Sequence, residues 1–253
     1  MARLPRISQP IAPASSEHPD LTKNYAIADI KSLARPIEES VATRGLSPAA
    51  VWMDKEDALA KGATRCQAMF RAIPPGIPFS LLDIGCGPGF AIPYLEEKFG
   101  GDFAGYLGVD ISKSLLEAAR AAWPAYQFVE RDILSDPLPA LTHDHVIING
   151  VVTAKFHIPH EEMERFAERL LAAAWRAARI SLSFNVMSTH VDWTRDDLFH
   201  WPMDKAATFC VKHLSRHINI LADYGLYEYT VQVFRQPRHE DLIPKAWLIS
   251  GGD

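Results

Sequence analysis

A glycine-rich turn directly after a short apolar segment constrains the fold of this chain more than any other feature. The segment FSLLDI, residues 79–84, predicts a buried β-strand, and GCGPG follows it at 85–89. Glycines at alternate positions let a backbone turn sharply and approach a ligand closely. The next segment predicts a helix over 89–98, whose N-terminus adds backbone N–H donors and a positive dipole end. We therefore predict a strand–turn–helix unit that binds a ligand.

Strands and helices alternate after this unit. The further predicted strands are 106–110, 126–129, 145–148 and 179–184, and the helices between them include 114–122 and 161–178. This alternation predicts an α/β, doubly wound fold with a mainly parallel sheet and helices on both of its faces. The last part of the chain differs, because a helix over 205–214 precedes two strands, 217–222 and 227–234. The sequence DYG between these strands predicts an antiparallel hairpin at the end of the sheet.

The length of 253 residues suits one domain with additional segments. Proline and serine are frequent in residues 1–20, which predicts a flexible N-terminal tail. Residues 21–75 predict a helical segment, with a helix over 54–72 that ends at the sequence PPG. We expect residues 76–253 to form the α/β unit and to share one structural domain with 21–75.

Composition excludes several classes of protein. The formal net charge is −5, which argues against broad nucleic-acid binding because that requires a basic surface. Cys66, Cys86 and Cys210 are far apart and form no CxxC pair, so we predict neither a disulfide framework nor a zinc site. The chain begins without the apolar core of a signal peptide and has no apolar run long enough to span a membrane. A cytoplasmic protein without membrane contact is the expected setting.

Two acidic residues follow the next two strands and add to the glycine turn. Asp110 ends the second strand, where a carboxylate can accept hydrogen bonds from both ribose hydroxyls, and Asp132 follows the third, where it can accept from an adenine amino group. These positions lie at the carboxyl ends of parallel strands, where open α/β sheets bind ligands. The dinucleotide fingerprint G-x-G-x-x-G does not fit, because Phe90 stands where its third glycine is required. A tight turn without a ligand is the remaining alternative.

The acid followed by G-x-G-x-G resembles the first motif of class I S-adenosylmethionine-dependent methyltransferases, and the resemblance covers residues 79–235. It implies a Rossmann-like sheet of seven strands, the last of them antiparallel, and S-adenosyl-L-methionine as the cofactor. The glycine turn would line the methionine part, the acids the ribose and adenine, and the loop after the fourth strand the transferable methyl group. The implied cofactor-binding residues are Trp52, Arg65, Asp83, Gly85, Cys86, Gly87, Gly89, Asp110, Ile111, Asp132, Ile133, Asn149 and Gly150.

Trp52 and Arg65 precede the sheet, where similar chains often place a Trp and an Arg close to the cofactor. Arg65 could then pair with the cofactor's carboxylate, although a core tryptophan and a solvated arginine fit the pattern as well. For Cys86 we favour packing between the glycines over a nucleophilic role. The sequence NGVV at 149–152 departs from the Asn/Asp-Pro-Pro-Tyr/Phe loop of enzymes that methylate amino groups of nucleobases and glutamine.

The stretch 183–202 is rich in Asn, His, Asp and Trp and follows the fifth strand at its ligand-facing end. We expect it to form the acceptor site, with His190 as the leading catalytic base and Asp192 and His200 as the other candidates. A histidine can take a proton from a hydroxyl near neutral pH. The three residues match no standard metal-ligand spacing, so no metal is expected. A surface loop that covers the helix layer is the alternative.

Two short runs resemble bacterial methyltransferases associated with polysaccharide or secondary-metabolite synthesis. The pattern F-N-x-M-S appears at 184–188, and D-Y-x-x-x-E-x-T appears at 223–230. We therefore expect O-methylation of a sugar or another small-molecule acceptor, with no nucleic-acid or membrane partner. A homo-oligomer is compatible with the sequence. Methylation of a protein or RNA, and a non-catalytic protein that only binds the cofactor, stay open as alternatives.

Overall fold

A computed structural model describes residues 30–46, 50, 57–100 and 103–238. The predicted tail 1–20 and the candidate Trp52 lie outside these residues. Before the sheet, the chain forms a short 3₁₀ segment Ile30–Leu33, helix α1 Arg35–Arg44 and helix α2 Ala58–Met69, and a 3₁₀ turn Phe70–Ala72 follows α2. The strands are β1 Phe79–Ile84, β2 Phe103–Asp110, β3 Gln127–Glu130, β4 His143–Ile148, β5 Ala178–Met187, β6 His217–Leu221 and β7 Glu228–Phe234. The other helices are α3 Ile92–Phe99, α4 Lys113–Ala122, α5 His160–Ala177 and α6 Met203–His213.

The described strands form one seven-stranded sheet in the order β3-β2-β1-β4-β5-β7-β6. Strands β1 to β5 are parallel, whereas β7 is antiparallel to both of its neighbours, β5 and β6. The predicted α/β class and the C-terminal antiparallel hairpin are therefore confirmed. Within the hairpin, β7 is inserted between β5 and β6, so β6 is the edge strand and runs in the direction of the parallel strands.

Apolar side chains cover both faces of the sheet, as a doubly wound fold requires. Successive residues of a strand point to opposite faces, and the β1 residues Leu81 and Leu82 accordingly belong to different clusters. Leu82 packs in a cluster with residues of α5 and α6, such as Phe166 and Phe209. Leu81 packs in a second cluster with residues of α2, α3 and α4, such as Leu116. The run of buried residues in β1 thus reflects burial on both faces.

Strand β5 is longer than the sequence predicts. It continues to Met187 rather than ending at Phe184, because Asn185, Val186 and Met187 pair in register with the first residues of β7. The loop after β5 is correspondingly shorter than the stretch 183–202, and Asn185 lies inside the sheet. No helix of the described residues is long and apolar enough to cross a membrane.

Candidate active site

The glycine turn after β1 has a backbone that side chains would obstruct. Gly85, Gly87 and Gly89 all have positive φ angles, of 73°, 52° and 83°, which residues with a Cβ rarely adopt. A Cβ on Gly85 would lie 2.1 Å from Cγ2 of Val151. The N–H of Gly85 donates to the carbonyl of Val109 on β2 at 2.7 Å. This hydrogen bond fixes the turn to β2. The turn also packs closely against Val151, in the loop that follows β4.

Cys86 belongs to this turn, and its side chain is buried against the sheet. A Cβ on Gly108 of β2 would lie 2.8 Å from its sulfur, so the absence of a side chain at Gly108 makes room for the thiol. Burial raises the pKa of the Cys86 thiol well above its usual value. A thiol of this kind is a poor nucleophile, which supports the packing role expected from the sequence.

Asp110 connects the end of β2 to the glycine turn and to the start of α4. Its carboxylate accepts hydrogen bonds from the backbone N–H of Gly87 at 2.8 Å and of Ser112 at 2.9 Å. Burial raises the pKa of the Asp110 carboxyl, and the backbone hydrogen bonds oppose that shift. The carboxylate is thus oriented before any ligand binds, at the position where the sequence predicts a ribose contact.

The residues predicted for the adenine end lie at the ends of β2 and β3. Asp132 accepts from the backbone N–H of Leu134 at 2.9 Å and from the hydroxyl of Ser135 at 2.8 Å, and Ile133 is buried. Ile111 lines a cavity of about 460 Å³ beneath α1. The carboxylate of Glu38 accepts hydrogen bonds from Ser112 and Ser114, which hold α1 against the start of α4.

Two buried acceptor oxygens lie at the other end of the site, away from the residues predicted for adenine. Oδ1 of Asp83 and Oδ1 of Asn149 have no hydrogen-bond partner among the described residues. Asp83 pairs in register with Ile147, so Asn149, two residues further along, projects from the same face of the sheet. Unsatisfied buried acceptors are costly. These two would suit a ligand that brings N–H donors, and the ammonium of a methionine group is such a ligand.

The environment of Asp83 agrees with this interpretation. Burial raises the pKa of its carboxyl to about 7, against the hydrogen bond that its Oδ2 accepts from Tyr106 at 2.9 Å. A positive charge beside Oδ1 would favour the ionised carboxylate and so reverse the effect of burial. The residues present therefore fit the polar end of the predicted cofactor.

Arg65 of α2 is buried against the loop after β4, where the sequence places the methyl-facing turn. Its guanidinium pairs with the carboxylate of Glu228, and its Nη1 would lie 3.2 Å from a Cβ on Gly150. The N–H of Gly150 donates to Oδ1 of Asn185 at 2.8 Å. The structure thus brings together Arg65, Asn149 and Gly150. It adds Glu228 and Asn185, which the sequence analysis noted only as members of two short motifs.

The three candidate bases occupy different environments in the loop after β5. His190 and Asp192 are exposed, and the backbone N–H of His190 donates to Oγ of Ser188 at 3.0 Å. Nδ1 of His200 lies 2.6 Å from the carbonyl oxygen of Ser188, and its Nε2 is buried with no partner among the described residues. A carbonyl can only accept, so Nδ1 carries the proton and, in the neutral ring, Nε2 holds a lone pair.

His200 lies at the carboxyl edge of the sheet, next to the other loops of the site. It forms a bridge with Met187 at the end of β5, and the neighbouring Phe199 donates its N–H to Thr153 in the loop after β4 at 2.9 Å. The ring of Trp193 contacts both His200 and Tyr227, with ring centroids 6.1 and 4.9 Å apart. The loop therefore folds onto the strand ends and places aromatic rings beside His200. The described residues contain no group of His, Cys, Asp or Glu that could hold a metal ion.

Known proteins with similar sequences are methyltransferases. A family model described as "Methyltransferase domain" matches residues 81–177. The putative methyltransferase Rv1506c of Mycobacterium tuberculosis is 30% identical over 170 residues, which are 64% of this chain and 97% of that protein. Trans-aconitate 2-methyltransferase of Rhizobium rhizogenes is 40% identical over 70 residues, which cover 28% of this chain and only 26% of that enzyme.

Solved structures share the fold. The magnesium protoporphyrin IX methyltransferase of Synechocystis PCC 6803 with bound SAM matches with a TM-score of 0.59 at 15% identity, over 84% of this chain and all of that one. A TehB-like SAM-dependent methyltransferase of Corynebacterium glutamicum matches with a TM-score of 0.52 at 19% identity, over 78% and 96% of the two chains. Together with the sequence relatives and the glycine turn, these matches place the chain in the class I S-adenosylmethionine-dependent methyltransferases.

Proposed function

We propose that this methyltransferase acts on a hydroxyl oxygen of a sugar or another small molecule. The observation that carries the proposal is His200, a histidine whose Nδ1 faces the carbonyl of Ser188 and whose Nε2 has no partner among the described residues. A hydroxyl must lose its proton when its oxygen is methylated, so this acceptor chemistry requires a base. His200 supplies one at the carboxyl edge of the sheet.

Different residues of the site would bind different parts of the cofactor. Asp110 would accept hydrogen bonds from the ribose hydroxyls and Asp132 from the adenine amino group. Asp83 and Asn149 would accept from the ammonium, and Ile111 and Ile133 would contact the adenine ring. Gly85, Gly87 and Gly89 let the backbone pass close to the chain of the methionine group. When bound, S-adenosylmethionine supplies a methyl group on a positively charged sulfur that leaves as a neutral thioether.

His200 is a better candidate base than the two exposed residues of the same loop. Its Nδ1–H is held by Ser188, which fixes the ring and the tautomer, whereas no described contact holds the side chain of His190 or Asp192. Nε2 of His200 would take the proton that the acceptor hydroxyl loses when its oxygen is methylated. The sheet edge and the glycine turn would align the acceptor oxygen with the methyl group. This alignment is the main requirement when the leaving group is already activated.

The aromatic pair beside His200 supports a ring-shaped acceptor. Tyr227 is about half exposed, with 52% of its surface accessible, and the edge of one ring faces the other in its contact with Trp193. Aromatic side chains offer large apolar faces together with a polar tip. Such a surface suits a sugar, which has an apolar C–H face and hydroxyls at its rim.

A panel of methyl acceptors tests this proposal. The purified protein is incubated with S-adenosylmethionine and, separately, with hydroxylated sugars and phenols, trans-aconitate, a mixed peptide pool and RNA. We expect mass spectrometry to detect methylation of a hydroxyl acceptor. The partial similarity to trans-aconitate 2-methyltransferases makes a carboxylate the second candidate acceptor. Methylation of trans-aconitate, peptide or RNA without any hydroxyl acceptor would contradict the proposal.

The raised pKa of Asp83 predicts proton release when the cofactor product binds. Near pH 6 the carboxyl, with a pKa of about 7, is mostly protonated in the free protein, and an adjacent ammonium would favour its ionised form. We expect the affinity for S-adenosylhomocysteine to rise with pH up to about 7, by at most tenfold per unit because one proton is involved. Calorimetry at pH 6 in two buffers of different ionisation enthalpy measures the released proton.

Asp83→Asn is the control for this linkage, because asparagine keeps the shape and the hydrogen-bonding oxygen but cannot titrate. The variant should bind S-adenosylhomocysteine without releasing the proton. The same linkage affects folding: the free protein binds the Asp83 proton more tightly than the unfolded chain does. This carboxyl's contribution to the free energy of unfolding therefore falls as the pH rises from about 4 to 7. Equal proton release by the wild type and Asp83→Asn would refute the assignment.

A further inference from the structure

A fully buried ion pair joins the helical segment before the sheet to the C-terminal hairpin. Nε and Nη2 of Arg65 donate to the two carboxylate oxygens of Glu228 at 2.7 and 2.6 Å. The two residues are only 8% and 3% exposed. This bidentate arrangement fixes the plane of the guanidinium. Nε and Nη2 face Glu228, and Nη1 lies on the side of Gly150, where an added Cβ would be 3.2 Å from it.

Asn185 extends the ion pair to the turn after β4. Its Nδ2 donates to Oε2 of Glu228 at 3.0 Å, and its Oδ1 accepts from the backbone N–H of Gly150 at 2.8 Å. Asn185 has no exposed surface. One chain of contacts therefore runs from α2 through β7 and β5 to the loop after β4. The residues of this chain, Arg65, Glu228, Asn185 and Gly150, are called the Arg65 network below.

Stability alone is a weak reason for placing charges at this position. Removing two charged groups from water costs several kcal/mol for each ion, and their attraction often does no more than offset that cost. The Arg65 network also includes the backbone of a turn whose neighbour, Asn149, has an unpartnered buried oxygen. Gly150 has a positive φ of 86°, which glycine adopts without strain, and Asn185 accepts a hydrogen bond from its N–H. The network therefore fixes the position of the turn after β4 relative to the guanidinium of Arg65.

We infer that Glu228 and Asn185 are positioning residues for the amino-acid end of the cofactor. Glu228 orients Arg65, whose Nη1 would bind the carboxylate of the cofactor's methionine group. Asn185 holds Gly150, and so places Asn149 where it would bind the ammonium of the same group. The inference deepens the cofactor site described above and does not depend on the identity of the methyl acceptor. It also gives a role to the two short motifs in which Asn185 and Glu228 occur.

Binding of two ligands that differ only at this end tests the inference. S-adenosylhomocysteine carries the amino-acid group, whereas 5′-methylthioadenosine keeps the adenosine and the sulfur but lacks that group. We expect Glu228→Gln to weaken binding of S-adenosylhomocysteine by at least tenfold and to leave binding of 5′-methylthioadenosine within twofold of the wild type. Calorimetry measures both affinities without a methyl acceptor, so failure here is distinct from failure of the acceptor panel.

Asp223→Asn is the matched control, because Asp223 forms an exposed ion pair with Arg71 at 2.8 Å on the same hairpin. It should leave both affinities unchanged. Asn185→Ala allows the same comparison of the two ligands without a change of charge. If Glu228→Gln does not fold, the affinities of Asn185→Ala test the inference. Equal weakening of both ligands would show a purely structural role and overturn the inference. Unchanged binding of S-adenosylhomocysteine in the folded variants would overturn it as well.

Discussion

His200→Asn is expected to lower kcat for methyl transfer by about 10²- to 10⁴-fold, the usual effect of removing a general base. Asparagine at this position can still donate from its amide to the carbonyl of Ser188, which accepts from Nδ1 of His200 in the wild type. It has no group in place of Nε2 that could take a proton. The loss should therefore appear in kcat, with the affinity for S-adenosylhomocysteine within about twofold of the wild type.

The comparison variants are His190→Ala and Asp192→Ala, which change the two exposed candidates in the same loop. Both should keep kcat within a few-fold of the wild type on the acceptor found with the panel. Full activity of His200→Asn with loss of activity in His190→Ala would assign the base to His190 instead.

A carboxylate acceptor would give a different result for the same variant. A carboxylate is already ionised at neutral pH, so its methylation needs no base, and His200→Asn would then keep its kcat. The variant therefore reports on the acceptor class as well as on the residue. Retained kcat on trans-aconitate would count against the proposed hydroxyl chemistry.

The parts of the fold that depend on local pattern could be predicted from the sequence. The run of apolar residues in β1 and the alternate glycines after it identify the strand, the turn and the ligand position, because few residue types other than glycine tolerate positive φ. Asp110 and Asp132 are predictable because one ends a strand and the other lies just after the next strand, and the carboxyl ends of parallel strands meet at one edge. These signals are short in range, and they do not require knowledge of packing.

The Arg65 network could not be predicted because its contacts join distant parts of the chain. Arg65 and Glu228 are 163 residues apart, and the packing of α2 against β7 brings them together. The sequence predicts that the fifth strand ends at Phe184, so Asn185 falls in the predicted loop. Its burial depends on the partner strand β7, which the sequence places after β6 without showing that it pairs with β5. The same limit applies to the base: the sequence favours His190, whereas the contacts that favour His200 depend on how the loop folds and not on residue spacing.

Asp110→Asn is expected to weaken binding of S-adenosylhomocysteine by at least tenfold. A charge-assisted hydrogen bond contributes about 1.5–3 kcal/mol, and about 1.4 kcal/mol corresponds to a tenfold change in affinity. The carboxylate already accepts from the N–H of Gly87 and of Ser112, so asparagine can keep only one of these bonds. Some loss of thermal stability should accompany the loss of affinity, because the other backbone N–H is left without its acceptor.

A comparison of two ligands separates the ribose contact from this structural effect. S-adenosylhomocysteine and its 2′-deoxy analogue differ by one hydroxyl, and the wild type should bind the analogue about tenfold more weakly if Asp110 accepts from that hydroxyl. In Asp110→Asn the difference between the ligands should shrink, which is the coupling that a double-mutant cycle measures. Asp136→Asn, which changes an exposed carboxylate paired with Arg131, should preserve the difference. An undiminished difference in Asp110→Asn would mean that another group binds the ribose and that Asp110 only holds the turn.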